Sequence, residues 1–203
     1  MSMLNTILKL PHHEAIEDPP ITRLLLGDVR MAWLWLPLRV WLGWTWLNFG
    51  WAKVQNPAWM DGGSALKRFW EQGMVVEPRA VITFDWYRAF IQYLLDVEAY
   101  TWFARVVAFG ETAVGVALIL GTLTGIAAFF GGFMNWNYMM AGTAHVSPLL
   151  FVVAVLLILA WKTAGWIGLD RWLLPALGTP WRPGYLRKAQ RPPVRPEGLR
   201  RVA

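Results

Sequence analysis

The chain has 203 residues, 56% hydrophobic and only 16% charged, with 15 Trp and no Cys. That balance is too apolar for an ordinary soluble domain. The missing thiols exclude disulfides, Cys-held iron–sulfur clusters, thiolate haem ligation and any thiol nucleophile on this chain. The net charge of +6 would suit nucleic acid, but nine of the 19 Lys and Arg follow residue 161. A basic flank after a long apolar run is the mark of a cytoplasmic membrane boundary, so the expected partner is the lipid bilayer and not nucleic acid.

In chain order, residues 1–28 form a polar segment with His12, His13 and the acids Glu14, Glu17, Asp18 and Asp28, and lack the apolar core of a cleavable signal peptide. The first span is expected at about 29–52, around MAWLWLPLRVWLGWTWLNFGW, interrupted by Arg39 and by Pro37, which removes one backbone donor. Residues 53–100 then carry five basic and six acidic side chains, with turn signals at Asn56-Pro57 and Asp61-Gly62-Gly63. They predict an outer insertion with a short helix from Ser64 to Gln72 and an amphipathic helix from Val81 to Tyr100. On the latter Asp85, Arg88, Gln92 and Asp96 share one stripe.

Further spans are expected at about 102–120, 126–141 and 148–166. The second and third are joined by the tight turn Gly121–Gly125, and Ala113, Ala117, Gly121, Ala128 and Gly132 offer small-residue packing faces. The sequence therefore predicts an all-α integral membrane four-helix bundle over 29–168 with an outer-side helical region, followed by a basic, Pro-rich tail over 169–203. An even number of crossings places both termini in the cytoplasm of a cell with this protein in its inner membrane, with 53–100 outside.

Ionisable side chains at membrane depth are costly and call for a partner or a purpose. Arg39 and Glu111 are two such residues. Either they form a buried ion pair that fixes helix register, or Glu111 accepts protons while Arg39 contacts an anion or carbonyl. Asn48, Asn135, Trp136 and Asn137 lie near the outer ends of their spans, where they serve interhelical hydrogen bonding or contact a quinone head. His145, in the third-to-fourth turn, is either a solvated loop residue or a proton-exchange group at the mouth. His12 and His13 precede the first span, so no histidine pair can hold haem within the bundle. No His or Cys set has metal-ligand spacing either, so no metal or covalently held cofactor is expected.

The segments LRVWLGWTWLNFGWAKVQNP and GETAVGVALILGTLTGIAAFFGGFM resemble the DoxX/DoxD family of small four-helix membrane proteins, over about residues 30 to 165. The matching points are Arg39 ahead of Gly50-Trp-Ala-Lys53, the Gly110-Glu111 pair and the turn at 121–125. For the DoxD branch the resemblance implies the membrane subunit of thiosulfate:quinone oxidoreductase, which joins two thiosulfates into tetrathionate while reducing a quinone substrate. It further implies a second subunit, DoxA. By motif position Arg39, Lys53 and Glu111 are the carried-over site candidates. The wider group implies a different role, a non-catalytic accessory or scaffold subunit of a larger membrane or periplasmic assembly, or a homo-oligomer.

Overall fold

A computed structural model describes residues 18–143 and 146–178. Every regular element among them is helical. The labelled helices are α1 (Ala32–Val54), α2 (Ser64–Gly73), α3 (Asp85–Asp96), α4 (Tyr100–Leu120), α5 (Thr124–Met140), α6 (Ser147–Leu159) and α7 (Asp170–Leu177). The four longest pack in a ring: α1 lies along α4, α4 meets α5, α5 lies along α6, and α6 closes back onto α1.

The pairing of α1 with α4 is the tightest because glycines face backbone. A Cβ built at Gly50 would stand 2.4 Å from the Thr112 nitrogen, and one at Gly115 would stand 2.4 Å from the Leu47 nitrogen. The seam on α4 is therefore Gly115 with its buried neighbours Ala108, Glu111 and Leu118, whereas Ala113 is exposed. One core cluster fills the bundle around Leu42, Trp46, Leu118, Leu150 and Leu157. A separate cluster, with Leu66, Trp70, Tyr87 and Ile91, seats α2 and α3 over the ends of α4 and α5.

The stretch 53–100 thus contains α2, α3 and the short helical turn Pro57–Met60, and α3 is shorter than its apolar pattern predicts. Between α2 and α3 the chain runs through Glu77-Pro78 and Arg79 without regular structure. Gly63 starts α2 with a φ of 68°, and a Cβ there would meet the Tyr100 carbonyl oxygen at 2.0 Å, so the turn accepts only glycine.

The expected fourth span, 148–166, is broken. α6 ends at Leu159, and a single turn, Trp161–Ala164, follows before Gly165 and α7. Among the described residues one helix, Tyr100–Leu120, is both long and apolar enough to cross a membrane. α1 has the length, but Arg39, Asn48 and Lys53 dilute its hydropathy; α5 and α6, with 17 and 13 residues, are short. Large apolar side chains nevertheless point outward from all four, among them Trp33, Trp44, Phe109, Phe130, Phe133 and Leu149. Water would not tolerate so broad an apolar surface, whereas hydrocarbon solvates it.

Candidate functional site

Glu111 is fully buried on the α4 face that meets α1 and α5. Its carboxylate is held from both sides. Lys53 Nζ, in the last turn of α1, donates to Oε2 at 2.6 Å, and the Tyr138 hydroxyl, in the last turn of α5, donates to Oε1. The Lys53 side chain keeps 19% of its surface exposed, so its charge connects the buried carboxylate to the protein surface.

Aromatic rings steady that ammonium: Trp59 at 5.1 Å, Phe49 at 5.8 Å and Tyr138 at 5.9 Å from ring centre to Nζ. Trp59 belongs to the helical turn Pro57–Met60, which Asn56 caps through its side-chain oxygen on the Ala58 N–H at 2.9 Å. The Asn-Pro signal after the first span therefore places one wall of the site. Thr143 fixes the end of α5 by donating to the Tyr138 carbonyl at 2.7 Å.

Next to this triad lies a cavity of about 190 Å³ under α2 and α3, walled by Phe69, Trp70, Phe90, Phe103, Asn137 and Tyr138 among others. Its lining is nearly all aromatic or aliphatic. The Tyr87 hydroxyl, from α3, donates to the Asn137 carbonyl at 3.1 Å and to Asn137 Oδ1 at 3.2 Å, and Asn137 Nδ2 donates to the Phe133 carbonyl at 2.8 Å. Burial pushes the Tyr87 hydroxyl up to about 12. It remains a donor throughout the physiological range.

The structure separates the two residues the sequence suggests as a pair. Arg39 lies 14 residues before Lys53 on the same helix, about 21 Å along its axis, and its guanidinium is at the other end of the bundle. There Nη2 donates to the Ile167 carbonyl at 2.8 Å, and a Cβ built at Gly121 would sit 1.9 Å from Nη1. Asp170, also buried, is the acid within its electrostatic reach. Asp170 accepts from the Leu123 and Thr124 N–H groups at 2.6 and 2.9 Å, clamping the start of α5, where Leu123 has a φ of 46°. Arg39 is thus the ion that holds the Gly121 turn against the loop before α7. The ion pair at Glu111 is with Lys53.

The remaining candidates scatter. Asn48 is exposed on α1 and donates to its own helix at Trp44, away from Glu111. Asn135 is buried with Nδ2 unpartnered among the described residues. Trp136 lies outside the cavity lining and stacks between Trp86 and Phe133 at 6.4 and 6.2 Å. Asn137 alone of these four reaches the cavity wall. His145 lies outside the described residues. Tyr138 and Asp170 are the functional or structural polar residues that the sequence reading misses. Reflecting Glu111 across the turn at 121–125 lands near Asn135, so hairpin register alone points to α5's last turn as the partner of Glu111.

A helical bundle with an outward-facing apolar surface and a buried Lys–Glu–Tyr cluster defines a small helical membrane protein. Residues 34–139, just over half of the chain, match the DoxX family, and the protein belongs to it. No curated protein and no solved structure matches the chain.

Proposed function

We propose that this DoxX protein is the membrane subunit of a quinone-linked redox complex of the thiosulfate:quinone oxidoreductase type. In this reading α1, α4, α5 and α6 cross the inner membrane, the short helices relying on the turns that follow them. Both termini face the cytoplasm, and α2 and α3 roof the outer end. The observation that carries the proposal is the Lys53–Glu111–Tyr138 cluster, whose Tyr138 lines an aromatic cavity.

A quinone ring fits flat aromatic walls, and its carbonyl oxygen needs a hydrogen-bond donor, which Tyr138 supplies once its single O–H turns from Glu111 Oε1 to the ring oxygen. Two thiosulfates joined by a new sulfur–sulfur bond release two electrons, and the quinone takes these with two protons to become a quinol. The protons travel from the exposed side of Lys53 Nζ, across the Glu111 carboxylate, to the Tyr138 hydroxyl and the ring oxygen. Thiosulfate, a dianion, approaches from the outer side, where a partner subunit such as DoxA would complete its site.

The test is quinone reduction, followed by absorbance, in protein purified with its co-purifying partners and supplied with thiosulfate and decylubiquinone. Glu111→Gln and Tyr138→Phe should each lower the rate by about 10²-fold or more, the usual size of a lost proton-transfer group. Rates unchanged in both variants refute the role of the cluster.

One observation favours a second reading, an accessory or scaffold subunit. Asn48 places a polar amide on the outward face of α1, where hydrocarbon offers no partner and a neighbouring helix would. Absence of turnover together with stable co-purification in a large assembly selects that reading.

A further inference from the structure

The cavity beside Tyr138 is covered from above and open at its flank. Leu66, Trp70, Tyr87 and Ile91, which line it from α2 and α3, are at most 5% exposed, whereas Phe90 and Phe133, also in its lining, are 47% and 53% exposed. Its mouth therefore lies at the side of the bundle, beneath α3. The surface around that mouth is apolar, with Val106, Phe109 and Phe130 each more than half exposed.

The seam between α4 and α5 continues the mouth toward the centre of the bundle. Val107 and Met134 line the cavity from its two sides. About one turn further along α4, Gly110 is half-buried, and the nearest atom a Cβ built there would meet is Met134 Sδ, at 3.9 Å. That is ordinary contact with room beyond it. One more turn on, the seam shuts: Val114 is buried, and a Cβ built at Gly131 would stand 3.2 Å from Val114 Cγ1. From Val107 to Val114 the open stretch is about 10 Å long. Gly110 leaves it free, and a large side chain at that position would fill it.

We infer that this seam is the portal by which the alkyl or isoprenoid chain of a quinone leaves the ring cavity for the bilayer, so that the ligand enters sideways from the membrane. The inference rests on the quinone reading and narrows it to a chain-bearing, membrane-dissolved quinone. A ring seated at Tyr138 in a cavity of about 190 Å³ has to send its chain outside. Through the roof the chain would meet water, where each methylene is costly; through the flank it meets hydrocarbon. Since lipid solvates the chain as well as the seam does, the portal supplies access and not affinity. Filling it should therefore discriminate against ligands that carry a chain and spare those that do not.

The test uses the full chain purified in detergent, its cavity labelled by an azido-benzoquinone without a chain. Two competitors are compared, decylubiquinone and 2,3-dimethoxy-5-methyl-1,4-benzoquinone, which has the same ring and no chain. In Gly110→Phe the half-maximal concentration of decylubiquinone should rise at least about tenfold, the size of an ordinary overpacking penalty, while that of the chainless quinone stays within about twofold. Gly110→Ala should change neither. Comparing each competitor with itself removes the effect of its partition into detergent. In the unaltered protein, decylubiquinone carrying a diazirine near the head of its chain should label Val107, Phe130, Phe133 or Met134. Equal losses for both competitors in Gly110→Phe, no loss for either, or chain labels on α2 overturn the portal. Failure of both competitors to displace the ring label from the unaltered protein would instead overturn the quinone reading, and the portal with it.

Discussion

Glu111 sits where a carboxylate is expensive, and its two partners contribute unequally. Lys53 supplies the opposite charge, so Lys53→Met leaves a buried anion uncompensated and should cost up to about 3–5 kcal/mol. Glu111→Gln should cost less, because a neutral amide still meets Tyr138. The double variant Lys53→Met, Glu111→Gln should recover part of the Lys53→Met loss, read as thermal unfolding midpoints in detergent. Strict additivity of the two changes would show that the residues do not interact. Glu111 was legible as a charge in apolar surroundings, whereas Lys53 belongs by composition to the charged stretch 53–100 and was singled out only by its motif position in the family resemblance. Their pairing was not legible, because charge and spacing along one helix cannot tell which helix lies opposite. Arg39 is the plainer charge at depth, yet its Nη2 donates to the Ile167 carbonyl and its Nη1 packs against the Gly121 turn without a hydrogen-bond partner among the described residues.

At the scale of elements, the contact between α1 and α4 depends on Gly50 and Gly115. Gly115→Ala places a methyl group 2.4 Å from the Leu47 nitrogen, which only a shift of the helix pair can relieve. It should destabilise the protein by about 1–3 kcal/mol, measured by thermal unfolding, whereas Ala113→Leu on the exposed face should change little. The small-residue pattern correctly announced close helix packing, but a stripe of small residues has more than one phase, and burial selected Gly115 over Ala113. The boundaries of α3 and α6 were similarly hard to read. The apolar run in 148–166 carries no signal for the break after Leu159, which follows from the Asp170 clamp and the packing of Trp161 against Gly125. The roof helix α3 carries its own prediction. With its hydroxyl pushed up to about 12 from an ordinary 10, Tyr87 adds stability that is complete below pH 10 and lost as pH rises through 12. Tyr87→Phe should abolish that alkaline component and cost about 0.5–1.5 kcal/mol at neutral pH.

For the whole molecule, composition and charge placement conveyed a helical membrane protein well, since both report solvent preference directly. Sidedness rests on the basic residues after position 161. The chain has no Cys, so a single introduced thiol reports its own side without interference. In intact cells Glu77→Cys should react with a membrane-impermeant maleimide, and Thr122→Cys should react only after permeabilisation. The reverse pattern would invert the topology. The site as a whole was less legible than the fold, because the aromatic cavity joins residues from α2, α3, α4 and α5 that no local pattern associates.

That cavity is also where the functional account is most exposed. The direct measurement is photolabelling of the purified protein with an azido-substituted quinone, with the attachment sites located by peptide mass spectrometry. Labels should concentrate on Phe69, Phe103 and Tyr138, disappear with excess decylubiquinone, and fall sharply in Ala141→Trp, which fills the cavity. Labelling spread over the lipid-facing surface and indifferent to both competitor and Ala141→Trp would contradict it.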